Sequence, residues 1–78
     1  MARYFFNIHN DDITEDPEGA DLIDAQAARA HAIVAARSLA AQTVAHGHFN
    51  RSHRIEIVDE NRESVDTVTF GDAVDIRD

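Results

Sequence analysis

The sequence predicts an α+β fold in two layers: an antiparallel-rich sheet with one long helix packed on one face, in the order β-β-α-β-β. Three observations carry this. An alanine-rich stretch without glycine or proline runs from Asp24 to His46. Short segments of alternating character flank it on both sides. The last two of these, His53 to Asp59 and Ser64 to Phe70, are joined by a brief polar turn, as in an antiparallel hairpin.

Arg3 to Ile8 reads as the first strand. Tyr4, Phe6 and Ile8 alternate with Arg3, Phe5 and Asn7, and aromatic residues suit a pleated surface. The Tyr4 face is expected to lie against the helix, which turns Phe5 to the other side. Asn10 to Gly19 is acidic and rich in turn formers, with Pro17 unable to donate to a ladder and Glu18-Gly19 marking a tight turn. Ile13 is expected to tuck this loop down. Ala20 to Ile23 reads as a short second strand with Leu22 inward.

Ten of the 21 residues from Ala25 to Ala45 are alanine, the strongest helix former. Asp24 is placed to cap the start and Gly47 to end the helix in a left-handed conformation, giving a helix over about residues 25–46. At 100° per residue, Ala25, Ala28, Ala32, Ala35, Ala36, Leu39 and Thr43 share one face. Such a face lets the helix approach a flat partner closely, and a sheet is flat. Ile33 and Val44 fall on the side away from it.

His53 to Asp59 is the next strand, with Ile55 and Ile57 alternating against Arg54, Glu56 and Val58. In the turn Asp59-Glu60-Asn61-Arg62, Asn61 is expected at positive φ. Ser64 to Phe70 returns, with Val68 and Phe70 as core residues. Residues 71–78 read as an acidic tail that frays or extends the sheet through Val74 and Ile76.

Length and composition bound the function. The 78 residues make one domain, 1–78. A chain this short buries roughly 60% of its unfolded surface, so a second copy has something to cover. Cysteine is absent, which removes disulfides, a thiol nucleophile and cysteine-type zinc sites. The formal charge is −8, and the seven basic residues, all arginine, are scattered. A phosphate backbone would be repelled, so nucleic acid is not expected as a partner. No apolar run reaches the ~18 residues of a membrane helix, and the start lacks a signal-peptide pattern, so the expected compartment is the cytoplasm.

Chemistry-bearing patterns are few. His46, His48 and His53 lie within eight residues and are candidate ligands for Zn, Ni or Cu. A polar loop at a helix C-terminus, which suits histidine through the helix dipole, is the preferred reading. Asp11, Asp12, Glu15, Asp16 and Glu18 lack the order of a calcium loop. His9 beside Asp11 and Asp12 is compatible with a catalytic pair, but no motif joins it to Ser38, Ser52 or Ser64. No enzyme activity and no cofactor are expected. Phe5 and Val58 on the far face of the sheet, with Ile33 and Val44 on the far side of the helix, form the candidate interface of a homo-oligomer, most simply a twofold dimer.

Several segments carry a family resemblance. They are the opening Arg3-Tyr4-Phe5-Phe6-Asn7-Ile8, the Glu18-Gly19 turn, Leu22 and Asp24 before Ala27-Ala28-Arg29-Ala30, and Ile55-Glu56-Ile57 followed by Asp59-Glu60. Together they resemble a family of small alphaproteobacterial proteins known only as a domain of unknown function, whose members begin Arg-Tyr-Phe-Phe-Asp/Asn. Asn61-Arg62 departs from the Asp-Gly turn usual there, and so does the histidine-bearing loop at 46–53. The element order is also similar to HicB-type antitoxin domains, an analogy of fold alone. The expected function is a non-enzymatic interaction module acting as a homodimer. The alternatives are a metal-binding protein using His46, His48 and His53, and an antitoxin-like regulatory partner of another protein.

Overall fold

The structure is a computed structural model and describes residues 1–77. The elements are β1 (Ala2–His9), β2 (Ile13–Thr14), β3 (Ala20–Leu22), α1 (Ala25–Ala45), β4 (Arg54–Val58), β5 (Ser64–Thr69) and α2 (Phe70–Ala73). All strand pairs are antiparallel. The sheet runs β2-β1-β4-β5, with β3 pairing the start of β1. The α+β architecture with one long helix on an open antiparallel sheet is the expected one. It has five strands, because two residues of the acidic loop, Ile13 and Thr14, add a fifth.

Register sorts the side chains. Phe6 stands opposite Ile57 and Ile8 opposite Ile55, which in turn faces Val68 on β5. These residues and Tyr4 point at α1. Phe5 opposite Val58, Asn7 opposite Glu56 and His9 opposite Arg54 occupy the outer face, which no helix covers. The buried core is Tyr4, Ile55, Ile57, Val68, Phe70 and Ala73 from one layer against Ala28, Ala32, Ala36 and Ala40 of α1. Four large side chains are fully buried: Phe70, Ile55, Ile57 and Val68. At about 1.5–3 kcal/mol each, they supply a modest driving force.

Alanines at every fourth position turn by about 40° per step around an α-helix. The stripe from Ala28 to Ala40 therefore winds around α1 instead of running straight along it. That winding corrects two expectations. Ala25 is exposed, and Ile33, read as facing away from the sheet, is half-buried and packs against the core. Asp24 caps α1 as expected, accepting the Ala27 N–H at 2.8 Å.

Three further expectations are corrected. Phe70 is buried, but as the first residue of α2 and not the last of a strand. Thr69 Oγ1 accepts the Asp72 N–H at 3.0 Å and the Asp72 carboxylate accepts the Thr69 N–H at 3.4 Å, a reciprocal cap that turns the chain. Asp72 and Ala73 thus belong to a helical turn, the last strand ends at Thr69, and residue 78 lies outside the described residues. Positive φ in the β4–β5 turn falls on Arg62 (φ 62°), not Asn61. The Asp59 carboxylate accepts the N–H groups of both Asn61 and Glu63, at 2.8 and 3.0 Å, and this fixes the reversal one residue later. Ile13 does not tuck the loop down. It lies in β2 and is 66% exposed.

Candidate interaction site

The outward side of α1 holds Ala30, Val34, Ala41 and Ala45, all exposed, with Val44 beside them. Val34 is 66% exposed and Val44 59%. Arg37 and Ser38, also exposed, lie between Val34 and Ala41 on this side. Beside the C-terminal half of α1 the chain after α2 folds back. It leaves an open groove of about 510 Å³ whose apolar lining is Ala40, Ala41, Val44, Phe49, Val74 and Ile76. Arg37 fixes one wall, since its Nε donates to the Ala73 carbonyl at 2.6 Å and ties α2 to α1. Phe49 is held in the other by its ring, 6.3 Å from that of Phe70.

The outer sheet face is more polar. Phe5 and Val58, direct cross-strand partners, are each half-buried. Part of Phe5 is covered by Gly19, where an added Cβ would come within 3.0 Å of the ring and 2.7 Å of the Tyr4 carbonyl. Further along the same face, His9 Nε2 lies 3.3 Å from Glu56 Oε1 and His9 Nδ1 lies 3.4 Å from Arg54 Nη2. His9 thus meets carboxylate and guanidinium from β4, not the neighbouring Asp11 and Asp12. Phe5 and Val58 are therefore a small apolar pair within a charged surface, while Val44 belongs to a larger apolar one that also includes Val34. The residue pattern did not single out Val34 or Phe49, and it set Val74 and Ile76 in a possible sheet extension, not beside α1. The exposure of Val34 follows from the same helical geometry that buries Ala28 and Ala36, whereas the return of the tail needs the α2 turn.

The three candidate metal ligands sit in different settings. His46 is the C-cap of α1, its N–H shared among carbonyls of the last turn. His48 donates its N–H to the Thr43 carbonyl at 3.0 Å. The His53 ring packs edge-on against Phe70 at 5.8 Å, with Nε2 3.6 Å from Asp11 Oδ1 and Nδ1 buried without a partner. Among the described residues, no three His, Asp or Glu side chains are grouped as a metal ion would require.

Acidic residues do most of the work at the strand edges. Asp16 Oδ2 accepts the Phe6 N–H at 3.2 Å, and its Oδ1 accepts those of Glu18 and Gly19, each at 3.1 Å. Burial pushes the Asp16 carboxyl up, but the N–H groups of Gly19, Glu18 and Phe6 together outweigh it and hold it below the usual carboxylate range. Asp66 is held below that range chiefly by Arg29, whose Nη1 lies 2.9 Å from its Oδ2, with the Thr67 N–H adding to the effect against partial burial. At the start of β1, Arg3 binds Asp21 through Nε and Nη2, both at 3.1 Å, and so staples β1 to β3.

No described helix is long and apolar enough to cross a membrane. No curated protein and no solved structure matches the chain. A family model does, over residues 3–71, from the second residue of β1 into α2. The chain therefore belongs to the family described as a domain of unknown function, DUF6894.

Proposed function

We propose that the protein is a non-enzymatic interaction module that works as a twofold homodimer, joined through the outward face of α1 and the groove beside it. The observation that carries this is the exposure of Val34 and Val44, at 66% and 59%, beside a small core whose largest fully buried side chains among the described residues are Phe70, Ile55, Ile57 and Val68. A small core leaves much of the hydrophobic driving force unused, and a second copy is the partner always present to use it.

The face is self-complementary. In a twofold dimer the same patch meets itself in reverse. With two copies of α1 antiparallel about an axis beside Arg37 and Ser38, Ala30 meets Ala45 and Val34 meets Ala41. Val34 of each copy then fits against an alanine of the other, Val44 falls opposite His31, and the small side chains allow an interaxial distance near 8 Å. A helix of 21 residues is about 31 Å long, so this strip alone falls short of the ~800 Å² per partner of a standard interface. The apolar lining of the groove, with Val74 and Ile76, supplies the remainder. Two copies of formal charge −8 repel each other, so the dimer is concentration-dependent and tightens as salt screens that repulsion.

The test is the solution mass by light scattering at two protein concentrations and two salt concentrations, for the native chain and for Val34→Asp/Val44→Asp. The native chain is expected to form a dimer and the variant to remain a folded monomer. An equal mass for both, at every condition, would remove the proposal.

A further inference from the structure

We propose that Arg29 and Asp66 guard the free edge of β5, keeping it from pairing with β5 of a second copy. The strand ends the sheet, has six residues, and four of them (Val65, Thr67, Val68 and Thr69) are β-branched. A terminal strand of this kind is a template for another chain. The opposite edge is made of β2 and β3, only two and three residues long. The Phe6 N–H between them is taken by Asp16. Among the described residues, β5 is therefore the long edge left to protect.

The direction of its backbone groups follows from one bond. Phe70 N–H donates to the His53 carbonyl at 2.8 Å, continuing the β4–β5 ladder past Thr69. Strand residues alternate, so Asp66, Val68 and Phe70 turn their N–H and C=O groups towards β4. Thr67 and Thr69 turn theirs outward. Both of these N–H groups meet a side chain. The Asp66 carboxylate accepts that of Thr67 at 2.8 Å, and the Asp72 carboxylate accepts that of Thr69 at 3.4 Å. The Arg29 guanidinium, bound to Asp66 at 2.9 Å, reaches to 3.5 Å from the Thr67 carbonyl. An incoming strand would have to displace this ion pair from the centre of the edge. Removing Asp66 frees the Thr67 N–H, removing Arg29 frees the Thr67 carbonyl, and either leaves the rest of β5 suited to antiparallel pairing with its own copy.

This pairing is distinct from association through α1, and the test separates them by reading mass relative to the native chain. Asp66→Ala is expected to show about double the native mass or more at equal concentration, with added intermolecular β signal in the infrared. The control is Asp66→Ala/Thr67→Pro. Proline at 67 removes an outward N–H while leaving the ladder to β4 intact, an arrangement tolerated on a terminal strand. The double variant is expected to return to the native mass. If it stays associated, another surface is responsible and the guard is wrong. If Asp66→Ala folds and keeps the native mass, the guard is likewise overturned. Should Asp66→Ala fail to fold, Arg29→Gln is measured in the same way, and native mass there has the same meaning.

Discussion

The Asp16 carboxylate substitutes for a strand residue: Phe6 N–H, directed to the edge of β1 between β2 and β3, donates to Asp16 Oδ2 at 3.2 Å. The loop that interrupts this edge thereby closes it again, and Asn7 Oδ1 returns a bond by accepting the Asp16 N–H at 3.0 Å. Asp16→Ala leaves three backbone N–H groups without their acceptor. It is expected to cost roughly 2–4 kcal/mol, measured by urea unfolding of variant against native chain, with Asp16→Asn costing less.

Acid should unfold the protein through these carboxylates. Asp16 and Asp66 are both held below the usual carboxylate range in the folded chain. A depressed folded value means stabilisation that is complete above the unfolded value, about 3.9, and is lost as pH falls through the folded one. Stability should therefore be flat from neutral pH down to about 5 and decline below 4. In Asp16→Asn and Asp66→Asn that decline should be shallower, as followed by circular dichroism across the pH series.

Gly19 has φ +71° and its backbone lies against Tyr4 and Phe5. Gly19→Ala adds about 1–2 kcal/mol of left-handed strain before the steric contact with the Tyr4 carbonyl is counted. A fall in Tm of at least ~5 °C is expected. The reverse holds at Arg62, which carries a left-handed conformation with a side chain. Arg62→Gly relieves that strain at some entropic cost, so Tm should stay level or rise by a few degrees.

The alanine stripe sets the distance between α1 and the sheet. Ala32 and Ala36 have no exposed surface. Ala32→Leu or Ala36→Leu inserts three carbons where there is no room and is expected to cost about 1–3 kcal/mol or more. Ala30→Leu on the outward side should be tolerated by the fold. Comparing the three melting temperatures checks which face is which.

Much of this was readable from residue types and period. Tyr4, Ile55, Ile57 and Val68 declare themselves by alternation, Asp24 by its place before the alanines, and the helix by the absence of any breaker. Thr69-Phe70-Gly71-Asp72 was readable too, since a hydroxyl three residues before a carboxylate is a helix-start pattern, but alternation up to Phe70 masked it. Ile33 was misplaced because a single helical wheel averages over a stripe that winds. The roles of Asp16 and Asp66 were hidden for a different reason. Each acts across a gap of the fold, Asp16 on Phe6 and Asp66 on Arg29, and in the sequence both are simply members of an acidic excess. The pairing of His9 with Glu56 depends in the same way on strand register.

Association through the outward face of α1 is tested most directly by the concentration dependence of solution mass, compared between the native chain and Val34→Asp/Val44→Asp. Both substitutions lie on exposed positions, so the variant should keep its helical signal. The expected result is a native chain that moves from monomer towards dimer as concentration and salt rise, unchanged by added Zn²⁺, and a variant that stays monomeric throughout. A native chain that is monomeric at millimolar concentration, or a variant that dimerises equally well, would contradict it.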